Sequence, residues 1–331
     1  MKSLEHYWYE NNFLVWLLLP LSWLYCLIVI IRQKLYRINF IKSYGAQVPV
    51  VIIGNIVVGG SGKTPLLIAL CEYIKQHGYK PGVVSRGYGG SVTDIKQVLQ
   101  SDTADLVGDE PLMICQRTNA PVVVGADRVA AIDFLLENNQ CDIVLSDDGL
   151  QHYRMKRDLE IAVIDSSRGF GNGFCLPAGP LRERVSRLNE VDLVVNNDTT
   201  AINTDQCSYT LQIVSLVSLH GNDSRSISSF IEQPVHAVAG IGNPTRFFSQ
   251  MRQNGLDIIE HAFPDHHVYQ QEDFAGWKND CIIMTEKDAV KCRHLSLKDA
   301  WVVTVKAQLS NTLESQLSSM LLPLLKHEAG Q

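Results

Sequence analysis

The chain has 331 residues, enough for two units with cores of their own. With 46% hydrophobic and 19% charged residues its composition is globular, and a net charge of −6 supplies no basic field for nucleic acid. Eight cysteines are scattered without a C-x-x-C pair, which argues for reduced, buried thiols in a cytosolic body and against a disulfide framework or a zinc site.

The first 42 residues stand apart. From Phe13 to Ile31 there is no charged side chain, and a helix over that run spans about 28 Å, close to the hydrocarbon thickness of a bilayer. Glu5 and Glu10 precede the run and no small-x-small site follows it, so the pattern is not a cleavable signal. Pro20 predicts a kink or the end of a first short helix. Arg32, Lys34, Arg37 and Lys42, interleaved with Tyr36 and Phe40, form a basic, aromatic collar suited to lipid headgroups. The positive-inside bias then puts the body of the protein in the cytoplasm. A core helix of the globular body is the bland alternative. Spanning the bilayer and lying in one leaflet both fit the run.

Val50 to Ile53 is apolar and β-branched, and reads as a buried strand. The loop that follows ends in Gly59-Gly-Ser-Gly-Lys-Thr64 and leads into a helix running to about His77. Strand, glycine loop, Lys-Thr and helix together cradle phosphate. Loop N–H groups and the helix dipole face the anion, Lys63 reaches the β/γ-phosphates, and the Thr64 hydroxyl holds Mg²⁺. The usual P-loop has glycine at position 57, where this chain has Val57. A partition-type ATPase would carry lysine where this chain has Val58. A glycine turn without a ligand is the remaining alternative.

The core continues as strands alternating with helices. Lys80 to Ser85 reads as a strand, and Gly108-Asp-Glu-Pro111 opens a helix with its acids at the positive end of the dipole. A strand at Pro121–Gly125 and a helix at Ala126–Asn138 follow. Cys141 to Ser146 is a strand running into Asp147 and Asp148, and Leu159–Asp165 and Val191–Asn196 are further strands. Apolar strands without alternation, separated by helices, predict a parallel sheet covered on both faces, with ligands at the carboxyl ends of its strands. Ser208 to Leu219 reads as a connecting strand or hairpin. A smaller α/β unit begins at Val235 and includes strand-to-loop junctions at Gly240 and Thr285.

Several groups suit phosphoryl chemistry. Asp147 and Asp148 follow a buried strand as a Walker B acid does and are candidate Mg²⁺ ligands; a capping turn is the alternative. Gln151 and His152 lie just beyond. Asp109 and Glu110 are candidates to take a proton from an attacking hydroxyl, set against a plain dipole-complementing helix start. His266 and His267 fall in a loop where an imidazole can pair with a carboxylate. Arg182 is placed to brace phosphate charge, unless it lies on a solvated helix face. A guanine-selective Asn-Lys-x-Asp is missing, which favours ATP. A protein-switched ATPase and a non-catalytic nucleotide-binding module are the competing classes.

Seven segments in order, Gly54-Asn55 with Gly59–Pro65, Ser85–Gly89, Gly108–Pro111, Asp147–His152, Leu176–Glu183, Phe263–His266 and Thr285–Asp288, resemble the tetraacyldisaccharide 4′-kinase family. The tight loop with Val57 fits that family. The resemblance implies ATP- and Mg²⁺-dependent phosphorylation of the 4′-hydroxyl of a lipid A disaccharide 1-phosphate, giving lipid IVA, at the cytoplasmic face of the bacterial inner membrane. It implies Asp109 as catalytic base assisted by His266, with Lys63 and Arg182 at the transferring phosphate. It further implies nucleotide contacts from Val57, Val58, Gly59, Gly60, Ser61, Gly62, Lys63, Thr64 and Gln151, and Thr64, Asp147, Asp148 and Glu183 near the metal. Expected partners are the disaccharide substrate and inner-leaflet lipids, with no nucleic acid and a monomeric state. The expected fold is a P-loop NTPase-type α/β sheet with helices on both faces, a second smaller α/β domain and an N-terminal membrane-associated helix. Its expected boundaries are 1–42 for the anchor, 43–205 for the P-loop kinase core, 206–231 for a β linker and 232–331 for the C-terminal domain.

Overall fold

The computed structural model describes residues 8, 9, 13–198, 206–221 and 223–326. Glu5, Glu10 and residues 199–205 lie outside them.

Helix α1, Phe13–Arg37, runs without a break through Pro20. Pro20 is the eighth residue of the helix, so its missing N–H leaves the Trp16 carbonyl without an intrahelical donor, a cost offset by the buried stripe on both sides of it. Then come β1 (Val50–Gly54), α2 (Lys63–Gln76), β2 (Pro81–Ser85), β3 (Lys96–Gln97), α3 (Ala104–Val107), α4 (Asp109–Thr118), β4 (Val122–Val124), α5 (Arg128–Asn138), β5 (Ile143–Asp147), β6 (Leu159–Asp165) and β7 (Leu193–Asp198). The remainder is β8 (Ser208–Ser218), β9 (Ser224–Arg225), β10 (Val235–Ala239), α6 (Pro244–Gln253), β11 (Ile258–Ala262), β12 (Cys281–Thr285), α7 (Glu286–Cys292), β13 (Asp299–Leu309) and α8 (Asn311–Lys326).

These strands form one sheet in the order β11-β10-β12-β13-β8-β7-β6-β1-β5-β2-β4-β3, with β9 beside β8. Pairing is parallel except at β13/β8, β3/β4 and β8/β9. From β1 the chain crosses to β2 beyond β5, and from β5 it returns past β1 to β6 on the other side, so the strand order reverses at β1/β5. That reversal opens a crevice beyond the carboxyl end of β1, the usual ligand position in an open α/β sheet.

Burial follows the pleat. Val51 and Ile53 pack under α2, α4 and α8, while Val50 and Ile52 join the opposite core with α5 residues and Cys26 of α1. A buried strand covered on both faces needs an unbroken apolar run, which is what the sequence of β1 supplies. The other end of the sheet has its own two cores, one holding Phe247, Phe248 and Met251 of α6 and one holding Ala289 and Cys292 of α7. β8, the stretch read as a connecting strand, pairs with β7 on one side and β13 on the other and so joins the two ends of the sheet.

Val15, Leu19, Ser22 and Cys26 of α1 are buried, a stripe at helical spacing laid on the core. The opposite face exposes apolar bulk, with Trp16 at 67% and Trp23 at 63% of full exposure. Among the described residues this helix is long and apolar enough to cross a membrane.

Candidate active site

The loop between β1 and α2 takes its shape from glycine. Gly62 caps α2 at φ 81°, the left-handed region. It is held from below, because Tyr209 Oη donates to the Gly62 carbonyl and Asn197 Nδ2 donates to the Ser61 carbonyl at 3.1 Å. Arg246 fixes Asn197 in turn, donating to its Oδ1 at 2.8 Å. Asn55 Nδ2 donates to the Gly59 carbonyl at 3.3 Å, closing the loop on itself.

Gly60 to Thr64 form one wall of a cavity of about 210 Å³. Glu110, Asp165, Asp265 and Lys287 line it from the strand ends and from the C-terminal half, and Leu211, Phe247 and Val305 give it an apolar side. Phosphate groups at the polar end and an aromatic base at the apolar end would suit such a lining.

Lys63 Nζ lies 3.3 Å from Asp148 Oδ1, and Arg182 donates to Asp148 Oδ2 at 2.7 Å. Burial pushes the Asp148 carboxyl up, but the two cations outweigh it and hold the group well below the usual carboxylate range. Among the described residues no cation pairs with the carboxylate of Asp147, one residue earlier; Arg128 donates instead to its backbone carbonyl at 3.2 Å. Ser85 Oγ donates to its Oδ2 at 3.3 Å, and its other oxygen is buried without a partner. Burial, and then the charge of Glu110, push its carboxyl up to about 7 against the pull of Lys63. Ser61 Oγ is likewise buried and unpartnered. A buried carboxylate oxygen left open at the end of β5 and a buried hydroxyl left open in the phosphate loop are what a hard cation and its phosphate ligands require, so this donor set fits Mg²⁺.

Asp109 opens α4 behind Gly108 and is only 5% exposed. Its Oδ2 lies 3.0 Å from His266 Nδ1 and 3.9 Å from Lys287 Nζ. Burial raises the Asp109 carboxyl, but the hydrogen bond from His266 and the Lys287 charge outweigh it, and the group sits below its usual range. The same hydrogen bond raises His266. His266 has φ 60°, and the edge of its ring meets Tyr88 at 4.9 Å, so the β2 loop packs against the pair. Asp109 does not line the 210 Å³ cavity; Lys287 and Glu110, which do, connect it to that wall.

The remaining expected residues divide. Gln151 Nε2 donates to the Asn55 carbonyl at 3.1 Å, and Arg182 NH1 to Gln151 Oε1 at 3.4 Å, which puts both beside the loop. His152 is pushed down to about 4, first by burial and then by Arg128 and Arg86, and is a neutral ring. Val57 and Val58 brace the loop from behind: Val57 bridges to Leu181, and the Val58 N–H is already donated to the Pro180 carbonyl at 2.8 Å. Glu183 faces away from the cradle. It accepts from Tyr153 and, at 3.3 Å, from Gln151, and it lines a separate cavity under α1. Sequence reasoning assigned no role to Lys287, Asp265, Asn197 or Tyr209. The first two lie inside quoted segments; nothing local marks the last two, which act through the sheet.

A tight glycine loop with Lys-Thr at the head of a helix, strand-end aspartates and an Asp–His pair define a P-loop phosphotransferase. The family model for Tetraacyldisaccharide-1-P 4′-kinase matches residues 14–322. The chain is 44% identical to the Tetraacyldisaccharide 4′-kinase of Hahella chejuensis over 336 residues, covering 98% of each. It is 46% identical to that of Nitrosococcus oceani over 316 residues, 95% of this chain and 93% of the other. The crystal structure of "apo" form LpxK from Aquifex aeolicus in complex with ATP matches with a TM-score of 0.80 at 26% identity, covering 94% of this chain and 99% of that one. The chain belongs to the tetraacyldisaccharide 4′-kinase family.

Proposed function

We propose that the protein transfers the γ-phosphoryl group of ATP to the 4′-hydroxyl of a tetraacyldisaccharide 1-phosphate, giving lipid IVA. One observation carries this reading beyond family membership. The phosphate loop and Lys287 line one cavity, and Lys287 lies 3.9 Å from the carboxylate of the Asp109–His266 pair.

Each residue then has a task. Loop N–H groups from Gly59 to Thr64 receive the phosphates, and Lys63 turns from Asp148 to the β/γ oxygens. Thr64 and Asp147 would hold Mg²⁺, with Asp148 close by and itself held by Arg182. Bound Mg²⁺ neutralises charge on the phosphate oxygens and favours the ionised form of Asp147. Asp109 accepts the proton of the 4′-hydroxyl as the oxygen attacks. His266 orients the carboxylate and shares the proton, an arrangement in which the two groups titrate as a pair. Arg182 bridges Asp148 and Gln151 at the edge of the loop and steadies charge there.

The acyl chains stay in lipid while the sugar head enters the crevice. α1 suits that arrangement. Ser22 Oγ donates to the Cys175 carbonyl at 2.7 Å, Tyr25 Oη to the Arg182 carbonyl at 3.0 Å and Gln33 Nε2 to Tyr153 Oη at 2.7 Å. A helix fastened along its length to a polar body has only its outer face free for lipid. This supports insertion of that face into the inner leaflet at the cytoplasmic surface, rather than a span. The protein acts there as a monomer.

The test is incubation of the full chain with γ-labelled ATP, Mg²⁺ and the disaccharide 1-phosphate, followed by thin-layer separation. Label in a more polar lipid is expected. Label released only as inorganic phosphate would sink the proposal.

A further inference from the structure

Lys287 is out of place by local rules. It sits second in α7, behind the cap Thr285, which accepts from the Asp288 N–H at 3.2 Å and donates to Asp288 Oδ2 at 2.6 Å. Glu286 and Asp288 suit the positive end of the helix, whereas a cation there opposes the dipole. Its stem is nearly buried, and its Nζ meets Asp265 at 2.9 Å, Glu110 at 3.2 Å and Asp109 at 3.9 Å. A residue that breaks a local rule at a site is retained for what it does there.

We infer that Lys287 is a positioning residue for phosphoryl transfer, clamping the Phe263–His267 segment to α4 so that the Asp109 carboxylate stays ionised and faces His266. The inference rests on the reading of Asp109 as base. The charged groups acting on Asp109 are His266 from the loop and Lys287 and Lys291 from α7, while Asp265 meets His266 and Lys287, and Glu110 of its own helix meets Lys287. Lys291 is already committed to Asp288 at 3.0 Å. Lys287 is therefore the cation that offsets three carboxylates. Without it, Asp109, Glu110 and Asp265 repel one another, and the proton shared by Asp109 and His266 is held more tightly. The clamp also ties the two ends of the sheet together across the crevice, because Glu110 comes from α4 and Asp265 from the segment after β11.

The experiment compares the pH dependence of kcat/KM for full-length wild type, Lys287→Met and Lys287→Arg in one detergent, with Asp109→Asn alongside. Lys287→Met is expected to lose about 10–100-fold in kcat, as a misplaced catalytic group does, with the KM for ATP within about threefold. Its acidic limb should move up by about one pH unit, the low end for removing an opposite charge at this range. Lys287→Arg keeps the charge and should keep the limb in place. A limb unmoved in Lys287→Met, or displaced in Lys287→Arg as far as in Lys287→Met, overturns the inference. Should Lys287→Met fail to fold, a displaced limb in Lys287→Arg alone does so. Near-normal turnover by Asp109→Asn sinks the base assignment and this inference with it. Lost turnover in Asp109→Asn with an unmoved limb in Lys287→Met sinks only the role of Lys287.

Discussion

Gly62→Ala tests the phosphate loop at its tightest point. A Cβ at Gly62 would lie 2.1 Å from Asn197 Nδ2 and 2.8 Å from Tyr209 Oη, distances that real Cβ atoms do not tolerate. The φ of 81° adds about 1–2 kcal/mol for any L side chain held in the left-handed region. Displacing Asn197 breaks its bond to the Ser61 carbonyl, worth about 0.5–1.5 kcal/mol. The sum is about 1.5–3.5 kcal/mol, borne by the loop conformation that receives phosphate. ATP affinity should fall about 10–400-fold. Calorimetric titration of the full chain with Mg²⁺ and ATP measures it. Adding Asn197→Ala removes the collision with Asn197 but not the strain, so the double variant should recover part of the loss. Affinity within about threefold of wild type in Gly62→Ala would refute the reasoning.

Because His266 is raised in the fold by its bond to Asp109, that bond stabilises the protein fully below the unfolded value of about 6.5 and fades as pH rises through the folded value. The melting difference between wild type and His266→Gln should accordingly be larger near pH 6 than near pH 9; equal differences would contradict this. With the Asp147 carboxyl up at about 7, Mg²⁺ must displace a proton, so Mg²⁺ affinity should climb about tenfold per pH unit below about 7 and level off above it. Asp147→Asn should flatten that dependence. Trp23→Glu combined with Leu27→Glu alters only the exposed face of α1 and should abolish sedimentation with phospholipid vesicles while leaving the melting temperature and ATP binding unchanged. Retained sedimentation would place the membrane contact elsewhere.

The phosphate loop was legible because its chemistry is local: an apolar strand, three glycines and Lys-Thr are contiguous, and the helix begins where the glycines end. The strand-end aspartates were legible for the same reason. Their division of labour was not, since Asp148 is paired by Lys63 and Arg182 and Asp147 is left open only by the three-dimensional packing. Asp109 and His266 are 157 residues apart, and no spacing rule joins them; only the resemblance to a family does. The helix end that Pro20 suggests gave way to tertiary packing, because the buried stripe of α1 continues on both sides of it. Lys287 carried a readable signal, a cation in the first turn of a capped helix, which becomes meaningful once Asp265 and Glu110 are seen around it.

The most direct measurement is single-turnover phosphoryl transfer from γ-labelled ATP to the disaccharide 1-phosphate by Asp109→Asn, with ATP affinity measured on the same sample. Loss of transfer by about 10²–10⁴-fold at nearly unchanged affinity is the predicted result for removal of a general base. Transfer at close to the wild-type rate would contradict it.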